Sequence, residues 1–183
     1  MQFSTILHHF LRTTFFIGIA TYLFYNIFIN HALAQISDMQ NIPTPKTYGA
    51  WTKICSLPPG TPNIQCEIVQ DIRTQDRRDI TFRVAFFKLP KNQGTLMRVF
   101  VPIRVELRPG VGLKIDNKDM EKIEYRRCLG DVCIAESLMK KETLRPFLEG
   151  KIATYFIFTT PEQGVGGVLD LNGFRDAYDA LSK

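Results

Sequence analysis

The chain has 183 residues, with 23 Lys and Arg against 18 Asp and Glu for a formal charge of +5, and it contains three histidines and four cysteines. That length supports one domain with a substantial core, not two, once a targeting segment is set aside. The positive charge is mild and dispersed: its densest cluster, Arg73 to Arg78, is interrupted by Asp76, which argues against the concentrated basic face of a nucleic-acid binder and for a solvated loop.

Residues 1–34 have the order of a cleavable secretory signal. His8, His9 and Arg12 precede an apolar run from Phe15 to Ile29, Asn30-His31 breaks it, and Ala32-Leu33-Ala34 supplies small residues before the cut. No acid occurs before Asp38. An uncleaved spanning helix needs roughly 20 apolar residues, and this run falls short unless Asn26, Asn30 and His31 are counted inside it. Cleavage after Ala34 leaves 149 residues, with 22 basic against 18 acidic side chains, and removes every histidine, His8, His9 and His31. The mature chain then lacks the means for Ser–His–Asp or Cys–His catalysis, for His-containing zinc sites and for a histidine proton shuttle. An enzyme is not expected, and no transmembrane helix remains after processing.

Residues 35–47 are polar, with Pro43 and Pro45, and read as a flexible lead-in; residues 48–183 read as a single domain. Its four cysteines, Cys55, Cys66, Cys128 and Cys133, form an even set in an exported chain and imply disulfides. The local pairs Cys55–Cys66 and Cys128–Cys133 are favoured, because Pro58-Pro59-Gly60 and Gly130-Asp131 mark turns between them. A crossed pairing such as Cys55 with Cys128 stays open. Four-thiolate zinc would want closer cysteine pairs and a reducing compartment.

In chain order, strand alternation runs through Ile64–Arg73, Thr81–Phe86 and the stripe Val99, Val101, Ile103, Val105 and Leu107. Arg108-Pro109-Gly110-Val111 has the chemistry of a type II turn, predicting that this stripe folds back onto Val111, Leu113 and Ile115. Asp116-Asn117-Lys118-Asp119 reads as another turn, leading to Lys122–Cys128 and Cys133–Leu138. Ala153–Phe158 is apolar on both sides and reads as a central strand covered on both faces. Gln163–Gly167 reads as a loop before Val168–Leu171. Helices are expected over Thr143–Glu149, with Thr as the cap, and over Asn172–Leu181, with Asn172 as the cap and Phe174, Tyr178 and Leu181 on one face. About nine short strands with regular turns predict a mainly β fold, a two-sheet antiparallel β-sandwich with one or two short helices including a C-terminal one.

Side chains of the types that carry chemistry are few. Asp116, Asp119 and Glu121 lack the ligand spacing of a calcium loop, since Lys118 intervenes, and match no glycosidase motif. Gly164, Gly166 and Gly167 lack the spacing and context of a dinucleotide fingerprint, and Ser56, Ser137 and Ser182 sit in no nucleophile motif. Trp51, the sole tryptophan, is expected in the core, with ligand stacking as the lesser reading. Catalytic, cofactor and metal residues are therefore assigned to none.

The ordered landmarks resemble the invasion-associated locus B family. Tyr48-Gly49-Ala50-Trp51-Thr52-Lys53-Ile54-Cys55 with Cys66-Glu67-Ile68-Val69-Gln70 is similar to its opening. Val101-Pro102-Ile103 with the segment from Leu107 to Asp116, Tyr125-Arg126-Arg127-Cys128 with Cys133-Ile134-Ala135-Glu136, and Leu171-Asn172-Gly173-Phe174 with Ala177-Tyr178 follow in order. One departure is that the family commonly has a glycine soon after the Val-Pro, where this chain has Ile103-Arg104. The resemblance covers residues 48–181. It implies a periplasmic or surface-exposed protein of Gram-negative bacteria, in some members linked to host-cell invasion, with no known activity or cofactor. The expected function is binding of an unidentified protein or an envelope or host-surface component, with no nucleic acid as partner. A carbohydrate- or lipid-binding sandwich is the alternative, and it would require exposed aromatics around a concave pocket.

Overall fold

The computed structural model describes residues 42–181, apart from residues 75, 76, 78, 91 and 92. The signal segment, its cut after Ala34 and Ser182 lie outside the described residues. The strands are β1 (Lys46–Tyr48), β2 (Trp51–Ser56), β3 (Gln65–Arg73), β4 (Thr81–Lys88), β5 (Thr95–Pro102), β6 (Gly112–Ile115), β7 (Lys118–Asp119), β8 (Glu124–Leu129), β9 (Val132–Met139), β10 (Ile152–Thr160) and β11 (Gln163–Asp170). Two helices, α1 (Lys141–Glu149) and α2 (Phe174–Ala180), complete the fold. β1 takes in Lys46 and Thr47, so the sheet begins inside the stretch read as a lead-in.

A seven-stranded sheet in the order β1-β2-β3-β4-β5-β9-β8 faces a four-stranded sheet in the order β11-β10-β6-β7. Every pairing is antiparallel. Alternation supplies the shared core: Ile68, Ile72, Phe82, Val84, Phe86, Met97, Val99 and Val101 from the large sheet meet Leu113, Ile115, Ala153, Tyr155, Ile157, Val165 and Leu169 from the small one. Each Val, Leu, Ile, Phe or Met among them contributes roughly 1.5–3 kcal/mol when removed from water.

The stripe from Val99 to Leu107 is not one strand. β5 ends at Pro102, Arg104 takes a left-handed φ of 72°, and residues 103–110 cross to the other sheet. β6 accordingly pairs with β10 and β7, not with β5, whose neighbours are β4 and β9. The Pro-Gly turn is real but closes one residue early, with Gly110 N donating to Leu107 O at 3.1 Å. Turn chemistry bends the chain locally; the partner strand is chosen by where Leu113 and Ile115 find burial.

Two further expectations change. Gln163–Gly167 is not a loop but the first half of β11, with Gly164 opposite Phe158 and Gly166 opposite Phe156. β10 is central, but among the described residues its outer face carries no second layer: Thr154, Phe156 and Phe158 are half-buried, with the rings resting on neighbouring glycines. Glycine breaks a strand in isolation, whereas here it makes room for a cross-strand ring.

The helices close one end of the sandwich. α1 is capped at Lys140 and not at Thr143, whose hydroxyl, in the first turn, accepts the Lys140 N–H at 2.9 Å. α2 is capped by Gly173 at φ 81°, in place of Asn172. A side chain on Gly173 would strike the Tyr48 carbonyl, with Cβ only 2.2 Å from its oxygen, so glycine alone permits the backbone of α2 to meet the β1–β2 turn. Phe174 then enters an aromatic cluster, edge-on to Trp51 and Phe86 at 4.9 Å each and 5.8 Å from Phe147.

Candidate interaction surface

Both disulfides bridge directly opposed residues of neighbouring strands. Cys55 on β2 bonds Cys66 on β3, and Cys128 on β8 bonds Cys133 on β9, with S–S distances of 2.07 and 1.97 Å. Each bond sits at the root of an exposed connection, the loop from Leu57 to Ile64 and the tip Leu129-Gly130-Asp131. Cross-linking the root fixes where the tip projects, and it removes chain entropy from the unfolded state, worth about 3 kcal/mol for the longer loop and about 2 kcal/mol for the shorter.

The two ends of the sandwich differ. At one end the tip of the β8–β9 hairpin meets the crossover, with Ile103 N donating to Asp131 O at 3.0 Å. Ile103, Leu107 and Leu129 are exposed there, Leu129 at 60%. Near the helical end, the outer face of the large sheet holds a groove of about 490 Å³ lined by Ile64, Phe87, Lys88, Leu96, Arg98 and Leu181, among others. Its cations are engaged: Arg98 bonds Glu136 at 2.6 Å and lies 4.9 Å from the Phe87 ring, while the Lys88 ammonium sits 4.1 Å from the Tyr178 ring centroid. Burial pushes the Lys88 pKa down, against the pull of Asp179.

The rest of that outer face is a ladder of opposed charges. Arg83 grips Asp71 through two bonds of 2.7 and 2.9 Å, and this hydrogen bonding holds the Asp71 carboxyl below its usual range. Glu67 moves the other way, because burial raises its pKa more than Arg83 and Arg98 lower it. In the predicted basic cluster, Arg77 pairs with Asp79 at 2.8 Å.

The acidic trio does not act together. The Asp116 carboxylate accepts the backbone N–H groups of Lys151 and Ile152 at 3.0–3.2 Å, Asp119 pairs with Lys114 at 3.2 Å, and Glu121 is exposed. Asp116 and Asn117 form the two-residue turn between β6 and β7, both with positive φ. Trp51 is fully enclosed and donates its indole N–H to Asp170 O at 3.0 Å, so it cannot stack on a ligand. The Tyr125 hydroxyl is also enclosed, without a hydrogen-bond partner among the described residues, and burial pushes its pKa up to about 12. The aromatic anchors that a carbohydrate site would need are therefore not at these two positions. Sequence reasoning missed the outer-face aromatics Phe156 and Phe158; their pairing with Gly166 and Gly164 was the available signal.

Two opposed antiparallel sheets, closed by a C-terminal helix and pinned by cross-strand disulfides, define a small β protein of an oxidising compartment. The profile of the invasion associated locus B (IalB) protein family matches residues 51–182, and the chain belongs to that family. The crystal structure of invasion associated protein b from Bartonella henselae is similar in fold, with a TM-score of 0.59 at 18% identity over 76% of this chain and 95% of that one. No curated protein matches the sequence. Family and disulfides together make the chain an extracytoplasmic protein, and among the described residues no helix is long and apolar enough to cross a membrane.

Proposed function

We propose that this chain is an exported, non-enzymatic interaction protein of the bacterial envelope, associated with host-cell invasion. It binds a protein or an envelope or host-surface component through loops or an edge of its β scaffold. The observation that carries this reading is the placement of both disulfides at the roots of exposed connections, a device for holding a recognition surface on a small scaffold. Membership of the invasion associated locus B family supports the context. The mature protein acts in the periplasm or at the cell surface.

The test is cross-linking of the mature protein in intact cells, followed by identification of what is captured. A specific partner, lost when the exposed loops or strand edge are substituted, is expected. Turnover of a substrate by the purified protein, abolished by substituting an acidic residue, would refute the reading.

A further inference from the structure

The four-stranded sheet ends at β11, which pairs with no strand beyond β10 among the described residues. Its inner flank pairs with β10, and two bonds fix the phase of the ladder: Leu171 N donates to Lys151 O at 3.0 Å, and Asp116 N donates to Ile152 O at 2.9 Å on the opposite side of β10. Antiparallel alternation then turns the backbone groups of Val165, Gly167 and Leu169 toward β10, and those of Gly164, Gly166, Val168 and Asp170 outward.

At Asp170 the outward groups are taken. The Gln70 side chain donates to Asp170 O at 2.8 Å and accepts Asp170 N–H at 2.9 Å, as the peptide unit of a neighbouring strand would. Toward Gly164 that cover stops among the described residues. β2 pairs with β3 from Gln65 to Val69, so among the described residues Asp71–Arg73, beside Gly167 and its neighbours, have a partner strand on the β4 side only.

Proteins blunt exposed edges with Lys, Pro, bulges or short strands. β1 has three residues including Lys46, β7 has two including Lys118, and β8 carries Arg126, Arg127 and an irregular register. β11 runs eight residues, QGVGGVLD, without Pro or any basic residue. Its outer face is also prepared. Ideal Cβ positions on Gly166 and Gly164 fall 3.3 and 3.5 Å from the Phe156 and Phe158 rings, so both rings lean over β11 toward the edge, and Val168 is half exposed. Acids stand at both ends, Glu162 and Asp170, with no Lys or Arg between Phe158 and Phe174.

We propose that β11 is a strand-addition site whose partner is an extended segment of another protein, about five residues long, with an apolar side chain at alternate positions and Lys or Arg at its ends. The backbone groups of Gly164, Gly166 and Val168 supply the affinity, the two rings select the apolar positions, and the terminal acids select the charge. A second copy of the chain fits worse: two-fold pairing about Gly166 sets Glu162 against Asp170 of the other copy at both ends, where like charges repel. The inference rests on the interaction reading above and names its surface.

The experiment uses the mature protein and a capped peptide alternating valine and threonine with a lysine at each end, followed by NMR amide exchange and shift mapping. In the free protein the amides of Gly164, Gly166 and Val168 exchange fast, while those of Val165 and Gly167 are protected. The peptide protects the three edge amides, and a glutamate-ended version binds about tenfold more weakly. Val168→Pro deletes an outward donor that serves no bond among the described residues, so it abolishes binding with little change in Tm. Val168→Lys does the same by charge and keeps the test intact if proline disturbs the strand. Protected edge amides in the free protein, shifts mapping elsewhere, unaltered binding by both variants, or no binding at millimolar peptide overturns the proposal. A cellular partner cross-linked only through the Leu129 tip or the crossover loop overturns the edge assignment and leaves the interaction reading standing.

Discussion

Phe174→Ala should show how far the C-terminal helix holds the domain together. The ring is fully buried and lies 4.9 Å from both Trp51 and Phe86, 5.8 Å from Phe147 and 6.0 Å from Tyr178. Truncation removes the transfer energy of a phenyl group and leaves a cavity walled by rigid rings that cannot collapse into it. That places the cost at the upper part of the usual range, about 4 kcal/mol. For a domain of this size it is a fall in Tm of roughly 10 °C or more. Because Trp51 is the only tryptophan and touches the missing ring, urea unfolding followed by its fluorescence reads the site directly. Phe174→Leu, which keeps most of the volume, should cost about 1–1.5 kcal/mol. A loss under about 1 kcal/mol for the alanine variant, with the denaturant slope unchanged, would mean that α2 does not seal the core. A red-shifted native emission without a change in midpoint would show the helix detaching by itself, and would also refute the reasoning.

Gly173→Ala should destabilise by more than about 2 kcal/mol, combining left-handed strain with the Tyr48 clash, and thermal unfolding checks it. Arg104→Gly should instead stabilise by about 0.5–1 kcal/mol, the strain at φ 72° less the entropy that glycine adds to the unfolded chain; a lower Tm would contradict this. The two carboxylates of the outer face should respond to pH with opposite signs. Asp71 has a lowered folded pKa, so its contribution of about 0.5 kcal/mol, small because the pair is half exposed, is present above the unfolded value near 4 and is lost as pH falls through the folded value. Glu67 has a raised folded pKa, so the native state takes up its proton first and gains stability as pH falls from that value toward about 4.3. Glu67→Gln should therefore stabilise near pH 7 and lose that advantage in acid, while Asp71→Asn should destabilise near pH 7; urea midpoints from pH 3 to 7 separate them. Reduction of both disulfides should lower stability by about 5 kcal/mol in the chain-entropy model, measured as a loss of urea midpoint with dithiothreitol.

The local patterns were legible because they depend on neighbouring residues alone. Alternation in β3 and β4 announced which side chains face inward, and Asp116-Asn117-Lys118-Asp119 announced a turn, which closes on its first two residues because Lys118 and Asp119 pair with β6. Phe174 and Tyr178 marked a closing helix. The mainly β class followed from these without any knowledge of strand order, and so did the family resemblance, whose landmarks are short ordered strings.

What the sequence alone could not carry was the choice between partners far apart in the chain. Leu113 and Ile115 alternate equally well beside β5 or beside β10, and only the shape of the shared core places them in the second sheet. Gly164 and Gly166 read locally as breaks, because the Phe158 and Phe156 rings that need their empty space are brought there by cross-strand register. The edge of β11 has the same origin: a backbone is open or paired only by virtue of what the rest of the fold sets beside it. Periodicity and turn chemistry determined the mainly β class; tertiary structure decided which strand edge is left without a neighbour among the described residues.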